Sequence, residues 1–118
     1  MILYAFVLRQ LNPIQKGIQM AHMFGNMFME YGSYDRDLNE CIYKDTIVLL
    51  DGGDANEMEH ISELANLDDN NFCTTNYRES SLSFLLTCVG VVCPKVDPSL
   101  EYKTAIENYI ATASPATF

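Results

Sequence analysis

Five polar side chains recur along residues 13–31 at the spacing of a single helix face. They are Gln15, Gln19, His22, Asn26 and Glu30, and the intervals between them are four, three, four and four residues. An α-helix places residues at these intervals above one another, so the five side chains form one polar stripe. Such a stripe is either part of a functional site or the ordinary solvated side of an amphipathic helix.

The start of this helix adds two features that favour an anionic ligand. Asn12 and Pro13 supply an N-cap and a first-turn proline, and the amide donors of a helix N-terminus attract negative charge. Lys16 lies on the same first turn. His22 adds less to this argument, because a helical histidine is more often a packed or capping residue than a catalytic one.

A second group of polar side chains lies at residues 76–81, Asn-Tyr-Arg-Glu-Ser-Ser. Arg78 could bind a phosphate or carboxylate through its planar guanidinium, or it could pair with a neighbouring acid such as Glu79. Arg9, Lys16 and Arg78 could converge on a confined positive site. The alternative is that their charges are scattered and solvated.

Hydrophobic patterning and turn residues predict the elements that position these side chains. The first half of the chain contains a strand at 2–8, a helix from Asn12-Pro13 to about Tyr31, a short helical stretch at 34–43 and a strand at 46–50. A helix follows that is opened by the capping box Asp54–Glu57 and ends near the turn 68–71. Two strands at 72–77 and 84–92 are then joined by a polar loop at 78–83, and a last helix is capped by Asp97-Pro98.

This order predicts an α/β fold, with a four-stranded mixed sheet covered on both faces by helices. Residues 1–112 are expected to form a single domain, and residues 113–118 are expected to fray. Ligands of such open sheets bind beyond the carboxyl ends of the strands. That rule directs attention to residues 9–19 and 76–87.

Composition limits the class of partner. Seven Lys and Arg against sixteen Asp and Glu give a formal net charge of −9, so the average field repels phosphate, and duplex nucleic acid is not an expected partner. Cys41, Cys73, Cys88 and Cys93 have neither zinc-ligand nor disulfide-framework spacing, so reduced thiols and no metal or cofactor are expected.

The apolar opening run, Ile2–Leu8, is too short to span a membrane, and no small-residue cleavage site follows it. A cytoplasmic protein is therefore expected. Four methionines on the first helix, Met20, Met23, Met27 and Met29, cover more than one of its faces. They either fill an irregular core or pack against a second copy in a homodimer.

Three segments together resemble the type 2, archaeal and eukaryotic-type, peptidyl-tRNA hydrolases. They are the strand run ILYAFVLR, the helix segment 15–22 with its Gln-x-x-His, and the hairpin end Thr87-Cys88-Val89-Gly90. The resemblance covers most of the chain in element order and implies the fold of that family. The chain is also similar to short, phage-encoded relatives of this fold. The shared features are its length and the phrases Phe-Val-Leu-Arg-Gln-Leu and Tyr-Arg-Glu. This similarity implies a viral protein in the host cytoplasm.

The resemblance also implies functional positions. The family's mechanism is attributed to a helix lysine, a glutamine four residues later, and an aspartate and two threonines from the hairpin region. Gln19 and Thr87 match the glutamine and the later threonine, whereas the other three positions hold Gln15, Asn76 and Ser80. Asn76 can orient water but cannot hold its proton, so a general base is missing. Lys16, one residue from the family's lysine position, could compensate.

Three functions follow from these residues. The first is a non-hydrolytic protein that binds a small anionic nucleotide-type ligand, such as a host nucleotide signal, through Arg9, Gln15, Lys16, Gln19, Asn76, Arg78 and Ser80. The second is an active peptidyl-tRNA hydrolase acting on the ester at the tRNA 3′ end, with Lys16, Gln19, His22 and Thr87 as its catalytic residues. The third is a protein-interaction module that uses the Met-rich helix.

Overall fold

The computed structural model describes residues 1–32, 35–44, 46–68 and 71–118, without the side chains of residues 42 and 43. Its elements are β1 (Ile2–Val7), α1 (Pro13–Tyr31), α2 (Arg36–Tyr43), β2 (Ile47–Asp51), α3 (Ala55–Leu67), β3 (Cys73–Glu79), β4 (Leu85–Cys93) and α4 (Ala105–Thr112). Tyr34 at the start of the predicted short helical stretch, and Asp69 and Asn70 in the predicted turn, lie outside the described residues.

The strands form one sheet in the order β2-β1-β4-β3. β1 is parallel to β2 and antiparallel to β4, and β4 is antiparallel to β3. The parallel pair follows from the helical connection between β1 and β2, whereas the short connection between β3 and β4 produces an antiparallel hairpin. The predicted α/β class and four-stranded mixed sheet are therefore confirmed.

Helices cover both faces of this sheet because its central strands are apolar on both sides. Along β1, Leu3, Ala5 and Val7 pack with residues of α1 and α2, whereas Tyr4, Phe6 and the residue after the strand, Leu8, pack with residues of α3 and α4. Such alternation is the normal geometry of a strand, and its burial on both faces explains the unbroken apolar run at the start of the sequence.

Local signals fix the ends of the first and third helices. The Asn12 side chain accepts a hydrogen bond from the Gln15 amide at the start of α1, and Pro13 is the first helical residue. Gly32, with φ of 65°, ends it. The predicted capping box of α3 is present, since Asp54 and Glu57 each bond the other's backbone amide.

The predicted start of the last helix is wrong. Asp97 caps only a turn, in which its carboxylate accepts from the amide and hydroxyl of Ser99, and Leu100 is 56% exposed. The helix begins instead at Ala105, where Thr104 is the N-cap. An exposed leucine has no packing energy to hold residues 98–103 helical, so the nearest helical segment is the one that buries Ile106 and Ile110.

Residues 113–118 extend from α4 along the outer edge of β2. Asp51 donates its amide proton to the Ser114 carbonyl, and Ala116 donates its own to the Leu49 carbonyl. Leu50 and Pro115 face each other between these two bonds in an antiparallel bridge. The segment thus covers part of a sheet edge that would otherwise present unpaired backbone groups, while its fraying in solution remains a prediction.

Candidate functional site

An irregularity in the β3–β4 ladder aims Thr87 at α1. Tyr77 pairs with Cys88 and Arg78 pairs with Leu86, so Thr87 is an extra residue between the two pairs. Cys88 packs on the α1 side of the sheet and Leu86 on the α3 side. The extra residue turns Thr87 toward the α1 side as well, which is how bulges commonly redirect a side chain near a site.

Thr87 meets Gln19 in a buried polar contact. Its hydroxyl oxygen Oγ1 donates to Gln19 Oε1 over 2.8 Å and lies 3.3 Å from the Tyr77 carbonyl oxygen. Gln19 and Thr87 are both 0% exposed. On the solvent side, Gln19 Nε2 points to Gln15 Oε1 at 3.5 Å. Gln19 and Thr87, which the resemblance matches to the family's glutamine and threonine, are therefore in direct contact.

Lys16 lies on the same helix face, one turn before Gln19. Its residue is only 6% exposed, and its ammonium donates to the Thr117 carbonyl oxygen over 2.6 Å. The ring of Phe118 lies 5.7 Å from the same nitrogen, within cation–π range. Among the residues that the structure describes, no carboxylate pairs with this ammonium.

His22 belongs to a chain of hydrogen bonds that runs from α1 to β3. Its Nδ1 lies 2.5 Å from the Tyr77 hydroxyl, which donates to Glu79 Oε2 over 2.9 Å. Ser81 donates to the other oxygen of the same carboxylate over 2.9 Å. Because the tyrosine proton goes to Glu79, the neutral histidine carries its own proton on Nδ1 and keeps a lone pair on Nε2.

These hydrogen bonds change the pKa values of Glu79 and Tyr77. The Tyr77 hydroxyl, and after it the Ser81 hydroxyl, stabilise the carboxylate and hold the pKa of Glu79 below its ordinary value. The carboxylate in turn raises the pKa of Tyr77. Glu79 therefore stays ionised, and Tyr77 stays protonated, over the physiological pH range.

Asn76 and Arg78 lie on the other face of the sheet. Tyr77 and Thr75 contact α1 through His22 and Glu30, and neighbouring strand residues point to opposite faces. Asn76 pairs with Val89, which packs on the α3 side. Asn76, which the resemblance matches to the family's aspartate, is thus separated from Gln19 by the sheet.

Arg78 binds the α3 residue Glu59 in a two-pronged ion pair, with N–O distances of 2.6 and 2.9 Å. The alternative of an acid partner at Arg78 holds, but that acid is Glu59 and not Glu79. The pair raises the pKa of the guanidinium and lowers that of the Glu59 carboxyl. Of the two alternatives for the positive charges, the convergence of Arg78 with Lys16 does not occur, since the two lie in different layers.

The three remaining predicted residues lie at three separate places. Gln15 is exposed beside Gln19, and Ser80 is exposed at the start of a 3-10 turn at 80–82. Arg9 turns away from α1, because its Nε donates to Asp51 Oδ2 over 2.9 Å. It lines a cavity of about 190 Å³ with Asp51, Glu57, Tyr109 and Ser114.

The methionines and cysteines mostly fill the core. Met20, Met23 and Met27 are buried between α1 and the sheet, as the core interpretation predicts, whereas Met29 is 86% exposed. The four cysteines are free. Burial raises the pKa of Cys93 to about 12, and burial together with the Asp35 carboxylate raises that of Cys73 to about 12, so neither thiol is an activated nucleophile.

Sequence reasoning missed five residues of this arrangement: Tyr77, Glu79, Ser81, Thr117 and Phe118. The first three belong to the polar segment 76–81, of which the predicted ligand-binding residues are the even-numbered ones. A strand that continued to Glu79 would have placed Tyr77 and Glu79 on the side of the sheet that faces α1, with Ser81 following in the 3-10 turn. The contact between Lys16 and Thr117, in the C-terminal segment 113–118, joins residues 101 positions apart. No local signal in the sequence indicates such a contact.

Comparisons with known proteins supply no relative: no model of a known protein family matches the sequence, and no curated protein matches it.

None of the described helices is both long and apolar enough to cross a membrane. Within the described ranges, no group of three or more His, Cys, Asp and Glu side chains is placed to hold a metal ion.

Proposed function

We propose that this chain is a non-hydrolytic binding protein for a small anionic ligand of nucleotide type, held at Lys16. The observation that carries the proposal is the state of that ammonium. Lys16 is a buried residue, yet the contacts of its ammonium are a neutral carbonyl oxygen and an aromatic ring. A buried cation without a counter-charge is unfavourable, so an anion that reaches it is stabilised.

The nature of these two contacts indicates the class of ligand. An oxygen acceptor and an aromatic ring, side by side on one ammonium, are what the phosphate and the base of a nucleotide would supply. Thr117 and Phe118 thus occupy the positions that such a ligand would take. The exposed amide of Gln15 and the first turn of α1 add hydrogen-bond donors beside it.

Two further observations favour binding over hydrolysis. Thr87 and Gln19 bind each other in a fully buried contact, so neither hydroxyl nor amide oxygen is free to align a water. Asn76 cannot act as a base, and it lies on the face of the sheet away from Gln19. The family's water-activating set is therefore not assembled around an ester.

Thermal-shift titration with a panel of nucleotides and inorganic phosphate tests the proposal. At least one nucleotide should raise the melting temperature in a saturable way, by an amount that corresponds to about 2.7 kcal/mol at a hundredfold excess over Kd. Lys16→Met should abolish the shift. Lys44→Met is the matched control, because that exposed lysine pairs with Glu40 on α2.

An ester hydrolase is the second candidate, and the chain Glu79–Tyr77–His22 is the observation that favours it. A carboxylate that orients a tyrosine, which in turn fixes the tautomer of a histidine, leaves Nε2 as a base. His22 follows Gln19 by one helical turn. Release of peptide from peptidyl-tRNA by the wild type, lost in His22→Ala and reduced in Tyr77→Phe, would establish this function and overturn the first proposal.

A further inference from the structure

The side of α1 that faces away from the sheet carries no charge. We call it the outer face, and it consists of Ile14, Gly17, Ile18, Ala21, Gly25, Phe28 and Met29, all of them exposed. Ile14 is 75% exposed and Met29 86%. The only charged residues of α1 are Lys16, which is buried against the tail, and Glu30, which contacts Thr75 of β3. A solvent-facing helix surface of this kind is unusual in a chain of net charge −9.

Two glycines on the outer face have no explanation within the single chain. A Cβ atom at Gly17 or at Gly25 would meet nothing within 4 Å. Glycine in a helix interior destabilises the helix relative to alanine, so packing within the chain gives no reason for either one. With Ala21 between them at four-residue intervals, they form a shallow groove that would let another helix approach closely.

We infer that the outer face of α1 is the contact surface of a homodimer, in which α1 packs against α1 of a second copy. The face is self-complementary, since it has both the groove of small residues and large apolar side chains that flank it, Ile14 and Ile18 on one side and Phe28 on the other. A two-fold axis through the middle of the helix would place these large side chains in the other copy's groove.

Charge selects a second copy as the occupant. Two molecules of charge −9 repel each other in most orientations, but two outer faces bring no like charges together. A basic partner would instead be drawn to the acidic remainder of the surface. Burying the exposed isoleucine and phenylalanine side chains is then the main gain, and no carboxylate has to be desolvated to obtain it.

The size of the surface sets the expected strength. A helix of 19 residues is about 28 Å long, and with a width of about 10 Å it offers about 280 Å² per copy, against about 800 Å² per partner in a standard interface. A reversible dimer with a dissociation constant on the order of 100 μM is therefore expected.

Sedimentation equilibrium of the full chain, from about 10 to about 500 μM, tests this inference because it covers the expected dissociation constant. The wild type should shift from monomer to dimer. Ile18→Glu should weaken the dimer at least about tenfold, and Gly25→Leu should do the same by filling the groove, which is open in the monomer. Leu67→Glu is the matched control, since Leu67 is a 72% exposed leucine on α3.

A wild type that stays monomeric throughout, or a dimer that Ile18→Glu and Gly25→Leu leave intact, would overturn the inference. A cross-link avoids the risk that these variants fold poorly. Ala21→Cys, at the middle of the outer face, should form an intermolecular disulfide under mild oxidation, because close helix packing brings the two Cα atoms within reach. Asn66→Cys, equally exposed on α3, should not. Equal cross-linking of both variants would also overturn the inference.

Discussion

At the scale of single residues, the contact between Gln19 and Thr87 is the most deeply buried polar interaction of the candidate site. Thr87→Val keeps the shape of the side chain and removes the hydroxyl that Gln19 Oε1 accepts from. A buried acceptor that loses its donor costs the full desolvation of that group. We expect the free energy of unfolding, measured by urea denaturation, to fall by about 1–3 kcal/mol.

Two variants separate this hydrogen bond from packing. Thr87→Ser keeps the hydroxyl and should retain the polar part of the stability. In the double variant Gln19→Met with Thr87→Val, both partners are apolar, so its loss should be clearly smaller than the sum of the two single losses. Strictly additive losses would show that the two side chains do not depend on each other.

The Glu79 carboxyl is a titratable group of the site whose pKa is shifted in a clear direction. Its pKa lies below its ordinary value because Tyr77 and Ser81 donate to the carboxylate. A pKa that is lower in the folded than in the unfolded chain gives a stabilisation that is present above the unfolded value. It is lost as the pH falls through the folded value.

Carboxyl NMR titration of Glu79 measures this effect directly. In Tyr77→Phe the largest cause of the shift is absent, so the pKa should move up toward its ordinary value and the acid-dependent part of the stability should shrink. Tyr102→Phe is the control, since the Tyr102 hydroxyl accepts from the Asp97 amide, away from the site. An unchanged Glu79 titration in Tyr77→Phe would contradict the hydrogen-bond chain.

At the scale of elements, helices could be predicted from sequence better than strand faces. Asn12-Pro13 and the Asp54–Glu57 pair carry their caps in the sequence itself, and both helices begin where these signals place them. The face of β3 had no comparable signal. An error of one residue in the phase of a strand moves every side chain to the other side of the sheet.

The bulge at Thr87 lies beyond such local reasoning. Whether Thr87 is paired or extra depends on how β3 and β4 align, and Leu85–Cys93 reads as the same apolar strand in either case. The partners of Arg78 and Lys16 are likewise set by packing between elements that are distant in sequence. Local patterns therefore identified Gln19 and Lys16, and the family resemblance added Thr87, but neither indicated what each residue binds.

The segment 113–118 is the element whose behaviour bears most on ligand access. Ala116→Pro removes the amide proton that Ala116 donates to the Leu49 carbonyl oxygen. The segment should then leave the edge of β2 and uncover Lys16. Hydrogen exchange of the Asp51 amide, which donates to Ser114, should then become faster. Nucleotide affinity should rise, because the Thr117 carbonyl no longer competes for the ammonium.

Ala116→Gly keeps the amide proton and serves as the control for this change. It should leave the Asp51 amide protected and the affinity near that of the wild type. If the Asp51 amide already exchanges as fast in the wild type as in Ala116→Pro, the segment is frayed, as its small-residue composition predicts, and it does not restrict access to Lys16.

At the scale of the whole molecule, the net charge of −9 opposes the binding that Lys16 favours. The repulsion of an anion by the overall field acts over long distances and is screened by salt, whereas the attraction of a nearly buried ammonium acts at contact and is screened much less. Raising the ionic strength should therefore speed the association of an anionic nucleotide.

Stopped-flow binding at low and at physiological salt measures that dependence. We expect the association rate constant of the nucleotide found by thermal shift to rise severalfold with salt and the dissociation rate constant to change little. The uncharged nucleoside with the same base is the control and should show no such trend. A protein that docks the tRNA backbone through basic groups behaves in the opposite way, because its affinity falls steeply as salt competes for the phosphates. A steep fall in the nucleotide's association rate would thus mean that a positive surface, and not the single ammonium of Lys16, captures the ligand.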